Sequence, residues 1–148
     1  MIKLKLFKQS NGYCGPACLK MILSFYEINK SEKYLAKLHA IALLRETMYR
    51  ATGKMPNSTQ ILSVLLQAKL GGNVCMQVNT GEGKSITNPL LAAMQHLEGM
   101  AVNVFTSNTL LATRDRQEAT GFWNYLGIRT AFIAKDSPSD TYLTGGVN

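Results

Sequence analysis

A chain of 148 residues with 46% apolar content can bury one sizeable core, and no part of it reads as low-complexity or disordered. No apolar stretch approaches the ~18 residues that a membrane span needs, and Met1-Ile2-Lys3-Leu4-Lys5 lacks the continuous apolar region of a secretory signal. Cys14, Cys18 and Cys75 are too few for a disulfide framework and have no metal-ligand spacing, which favours a reducing, cytosolic setting.

The net charge is +7, and residues 1–38 carry seven lysines against Glu27 and Glu32, so most of the excess sits at the front. Lysines scattered in this way usually mark a solvated face. No basic run is interleaved with aromatics as base stacking requires, so a dedicated nucleic-acid binder is not expected.

In chain order, the first predicted element is a helix over 14–27, with Gly15 and Pro16 at its start and Leu19, Ile22, Leu23 and Tyr26 on one face. Cys14 sits at its N-terminus, where unpaired N–H groups and the helix dipole favour the thiolate. Ala17 puts Cys18 a full turn along, too far for a tight Cys-x-x-Cys redox turn. Gln9, Cys14-Gly15-Pro16-Ala17-Cys18-Leu19 and Ser31-Glu32-Lys33-Tyr34-Leu35-Ala36 resemble the front of the double-glycine cysteine peptidases that process bacteriocin leaders. That resemblance implies Cys14 as nucleophile and Gln9 as oxyanion-hole donor. The base it would need is missing: His39 lies within an amphipathic pattern of Leu35, Leu38, Ile41, Leu44 and Met48, and His96 lies on a later helix.

Helices over 31–51 and 58–70 follow, the second carrying Ile61, Leu62, Leu65 and Leu66. Next come a strand at 73–78 and the stretch Val78-Asn79-Thr80-Gly81-Glu82-Gly83-Lys84-Ser85. Gly81 and Gly83 allow a tight turn that points several N–H groups at an anion, Lys84 can reach β- and γ-phosphates, and Ser85 can ligate Mg²⁺. Val78 occupies the position where the P-loop consensus has its first glycine, so the weight rests on context. A helix over 84–98, with Ile86, Leu90, Leu91, Met94 and Leu97 at helical spacing, ends at Gly99 and leads into a strand at 101–106. This is a βαβ unit of about 30 residues. A helix over 108–126 and a strand at 129–134 complete the pattern.

From about residue 36 to 134 several linked motifs occur in the order seen in SecA, the preprotein translocase motor, and its relatives: Leu44-Arg45-Glu46, Gln60, Val78 to Ser85, Phe105 to Asp115, and Phe122 to Ile128. The chain resembles the front of that family's first nucleotide-binding, DEAD-like domain. By that resemblance Gln60 would read the adenine edge, and Thr80, Gly81, Glu82, Gly83, Lys84 and Ser85 would hold ATP and Mg²⁺. Arg114 and Asp115 would couple nucleotide state to movement. Preprotein and a membrane translocon are the partners it implies, at a cytoplasmic or membrane-peripheral location. Bland readings stand beside these roles: Gln60 as a solvated helix-start residue, Arg114 and Asp115 as exposed charges, and Trp123 as packing.

The expected fold is therefore α/β: a partial P-loop (RecA-like) parallel sheet with crossover helices, preceded by N-terminal helices. A short helical segment, 1–38, would precede a truncated nucleotide-binding domain, 39–148. Hydrolysis by such a motor needs a later apolar strand ending in an acidic motif. Asp136 and Asp140 instead lie in a turn-rich stretch, so binding of Mg-ATP without competent hydrolysis is expected of a fragment or truncated gene product with an unpaired sheet edge. A Cys14 peptidase and a non-enzymatic remnant are the alternatives.

Overall fold

In a computed structural model of the protein, the described residues are 14–25, 30–70 and 73–133. They form five helices: α1 (Cys14–Phe25), α2 (Glu32–Thr52), α3 (Ser58–Leu70), α4 (Lys84–Leu97) and α5 (Thr109–Leu126). The chain divides into two compact units, Met1–Ala42 and Leu43–Asn148, with the division falling inside α2.

In the first unit, Ser31 opens α2: its Oγ accepts from Tyr34 N at 3.2 Å and its carbonyl from Leu35 N at 3.1 Å, satisfying first-turn amides that have no helical partner. Among its described residues Ala17, Leu35 and Ile41 are buried, and His39 is exposed.

In the second unit the helix ends are set by local chemistry. α2 stops at Gly53, whose N–H donates to Tyr49 O. Asn108 caps α5, its Oδ1 accepting from Leu110 N at 2.7 Å, and Gly127 closes that helix. Pro89 lies inside α4, where its missing N–H removes the bond that the Ser85 carbonyl would otherwise accept. α4 packs on α3 and on α5. The core they share includes Val64, Leu90, Ala93, Met94, Ala119, Phe122 and Trp123. Phe122 and Trp123, both buried, are tilted at 58° with ring centroids 5.1 Å apart.

The helical half of the expected α/β pattern is present. The expected parallel sheet is not formed among the described residues, where bridge pairing is confined to the single residues Val102 and Thr130 and 74–79 has no regular secondary structure. A helix closes its hydrogen bonds within one segment, whereas a strand must find another strand for every N–H and C=O. The edge is correspondingly open: Val74, Val104 and Phe105 are exposed, Phe105 by 90%. The apolar face of α3 also differs from expectation. Gln60 and Val64 are buried, while Leu62 and Leu66 are exposed.

Candidate phosphate-binding site

Two glycines build the loop between the irregular segment 74–79 and α4. Gly81 has φ 91° and Gly83 has φ 75°, left-handed values that cost a side-chain-bearing residue about 1–2 kcal/mol. Gly83 is also the N-cap of α4, and no side chain caps that helix start. Glu82 N donates to Asn79 O at 3.3 Å, closing the turn. Lys84 folds back over it: Nζ donates to Val78 O at 2.8 Å and to Asn79 O at 3.2 Å. The ammonium thus lies against the loop's own carbonyls, an arrangement that anionic oxygens could take over, while Ser85 sits in the first turn of α4.

Gln60 is not the solvated residue that its position at a helix start suggested. It is 7% exposed and sits against this loop. Its Nε2 donates to Glu82 O at 2.9 Å and contacts Gly83 O at 3.4 Å. Its Oε1 accepts from Asn57 N at 3.0 Å, and its backbone N–H donates to Asn57 Oδ1 at 2.9 Å. Asn57 and Gln60 therefore form a reciprocal capping box at the start of α3, with the free end of the Gln60 amide spent on the loop. A Cβ on Gly83 would run into Gln60 Nε2. Gly83 is needed for two independent reasons, its left-handed backbone and this close approach. The loop thus brings together the chemistry that a phosphate chain needs: a helix start without a side-chain cap, the Lys84 ammonium and the Ser85 hydroxyl.

Sequence reasoning missed Asn57, although Asn-x-x-Gln at a helix start is the signal that identifies it. It also gave Arg45 no role, yet Arg45 Nε donates to Pro56 O at 2.9 Å, on the residue before Asn57.

Arg114 and Asp115 are brought together on the surface of α5, with Arg114 Nη2 2.7 Å from Asp115 Oδ1. The hydrogen bond to Asp115, and then its charge, raise the Arg114 pKa. Glu118, one turn on, bonds Lys54 Nζ at 2.7 Å and lies 3.8 Å from Arg114 Nε. Its pKa is lowered, chiefly by the Lys54 hydrogen bond and charge. A cavity of about 370 Å³ is lined by Ser85, Pro89, Phe105, Asp115, Trp123 and Phe132, among others. Of the predicted phosphate-binding residues Ser85 alone lines it, so the cavity and the loop are separate features that meet at one residue. At the far end of α4, His96 Nδ1 is buried without a hydrogen-bond partner, and it has no relation to the loop. Cys14 is the first residue of α1, but the peptidase reading depends on its side chain and on Gln9, which lie outside the described residues. No described helix is long and apolar enough to cross a membrane.

The family model described as the SecA DEAD-like domain matches residues 19–142. The chain is 31% identical over 117 residues to "Protein translocase subunit SecA 2" of Staphylococcus haemolyticus, covering 78% of the chain and 14% of that protein. It is 36% identical over 100 residues to the protein of the same name in Mycolicibacterium smegmatis, covering 68% and 12%. It is 33% identical over 101 residues to "Protein translocase subunit SecA" of Treponema denticola, covering 68% and 11%. The chain thus spans a small part of the length of the curated relatives it matches. The matches lend no support to the peptidase resemblance.

Proposed function

Since this chain belongs to the SecA DEAD-like domain family, we propose that its loop from Thr80 to Ser85 binds Mg-ATP as the nucleotide module of a SecA-like translocation motor. The observation that carries this reading is the loop itself. Two left-handed glycines turn the chain into an uncapped helix start, and the Lys84 ammonium rests on carbonyls at 2.8 and 3.2 Å. Backbone amides of Gly81 to Ser85 and the Lys84 ammonium would hold the phosphates, and the Ser85 hydroxyl would ligate Mg²⁺. When bound, the ion neutralises charge on the β- and γ-phosphates. Gln60, adjacent to the loop, would meet the adenine edge. To do so it has to use the second lone pair of Oε1 and the weaker of its two Nε2 contacts, or give up a bond to Asn57 or Glu82.

Preprotein and translocon are proposed partners of the motor to which such a module belongs. Calorimetric titration of Mg-ATP into the wild-type chain and Lys84→Ala tests the proposal. Measurable binding that Lys84→Ala abolishes is expected, and equal affinity in the two proteins would refute it.

A further inference from the structure

We propose that Arg45 and Asn57 are positioning residues for the phosphate loop, acting through Gln60; the proposal rests on the Mg-ATP reading of that loop. Four observations make a continuous hydrogen-bonded path. Arg45 Nε on α2 donates to Pro56 O at 2.9 Å, fixing the linker that joins α2 to α3. The next residue, Asn57, binds Gln60 twice, once through its own N–H to Oε1 and once through Oδ1 from the Gln60 N–H. Those two bonds set the rotamer and amide orientation of Gln60, leaving Nε2 aimed at Glu82 O. Nε2 also touches the Gly83 carbonyl, which in turn accepts the first bonds of α4 from Ile86 N at 2.9 Å and Thr87 N at 3.3 Å.

The path matters because the bonds from Glu82 N to Asn79 O and from Lys84 Nζ to Val78 O and Asn79 O tie the loop only to its own preceding residues. Thr80, Gly81, Glu82 and Lys84 are exposed, and each glycine brings backbone freedom that binding must remove. Gln60 supplies a buried amide at the point where the loop becomes helix, and Asn57 orients that amide. Anchoring the loop before ligand arrives spares the ligand the ordering cost, so loss of the anchor weakens phosphate binding without removing any phosphate contact. This separates positioning from adenine reading. A residue that only met the base would matter for ATP and not for a base-free triphosphate.

The test uses inorganic tripolyphosphate with Mg²⁺, titrated calorimetrically into the full chain as wild type, Asn57→Ala, Asn57→Asp and Arg45→Met. Amide hydrogen exchange over residues 79–87, measured without ligand, provides a second readout. Asn57→Ala is expected to weaken tripolyphosphate binding about fivefold, the size of effect that loss of one cap produces. It should also speed exchange in the loop. Asn57→Asp, which keeps the acceptor, should restore most of both, and Arg45→Met should shift both in the same direction as Asn57→Ala. Wild-type affinity and wild-type loop exchange in Asn57→Ala and Arg45→Met, alongside loss of binding in Lys84→Ala, would overturn the positioning role alone. A wild-type chain that takes up neither tripolyphosphate nor ATP would overturn the nucleotide reading, and the positioning role with it. Should Asn57→Ala not fold, Arg45→Met decides the matter by itself.

Discussion

Gly121 of α5 lies against the Ala51 carbonyl at the end of α2, so close that a Cβ at position 121 would stand 2.8 Å from that oxygen. Its neighbours Phe122 and Trp123 are both buried, so the helix cannot move away without disturbing the core. In an exposed helix interior, replacing glycine by alanine gains about 1 kcal/mol. Here the neighbour is backbone and cannot rotate aside.

Gly121→Ala is therefore expected to lower the thermal midpoint, the overpacking cost of about 1–3 kcal/mol outweighing the gain in helix propensity. Circular dichroism melting of the two proteins checks this, and an unchanged or higher midpoint would show that α2 and α5 separate readily.

The two loop glycines should respond differently. Gly81→Ala meets open space and carries the left-handed backbone cost alone, about 1–2 kcal/mol. Gly83→Ala carries the same cost and also collides with the Gln60 amide. Gly83→Ala should thus weaken Mg-ATP binding more than Gly81→Ala. A Gln60→Ala background should relieve part of the Gly83→Ala defect but none of the Gly81→Ala defect. A double-mutant cycle on calorimetric affinities measures that coupling, and strict additivity at Gly83 would remove the contact from the account.

The Lys54–Glu118 pair should give a small acid-dependent change. The folded-state pKa of Glu118 is depressed, so its contribution to stability is present above its unfolded value and is lost as pH falls through the lowered folded value. Both side chains are more than a third exposed, which keeps the contribution at the weak end of surface pairs. Between about pH 6 and pH 3 the wild type should lose slightly more stability than Lys54→Ala, and about 1 M salt should narrow the difference. Denaturant melts over that range provide the comparison.

The helices were legible in the sequence because their determinants are local. Apolar spacing, Asn108 at a cap, and glycines at 53, 99 and 127 place the boundaries within a residue or two wherever the chain is described. The turn before α4 was legible for the same reason, since Gly81 and Gly83 carry the left-handed backbone that it needs. Gln60 was half legible: Asn57-x-x-Gln60 spells a capping box, but nothing local shows that the other end of the amide meets the carbonyl of a residue 22 positions later.

The amino-acid order by itself determined five helices, the turn that precedes α4 and the kinship with the SecA motor domain, all of them properties of short windows or of motif succession. Only the tertiary arrangement decided that Gln60 is buried against Glu82 and Gly83, that Gly121 abuts Ala51, and that 74–79 has no regular secondary structure. Those outcomes depend on which distant groups come within 3–4 Å of one another, and backbone pairing and close packing are settled by such encounters, not by propensity.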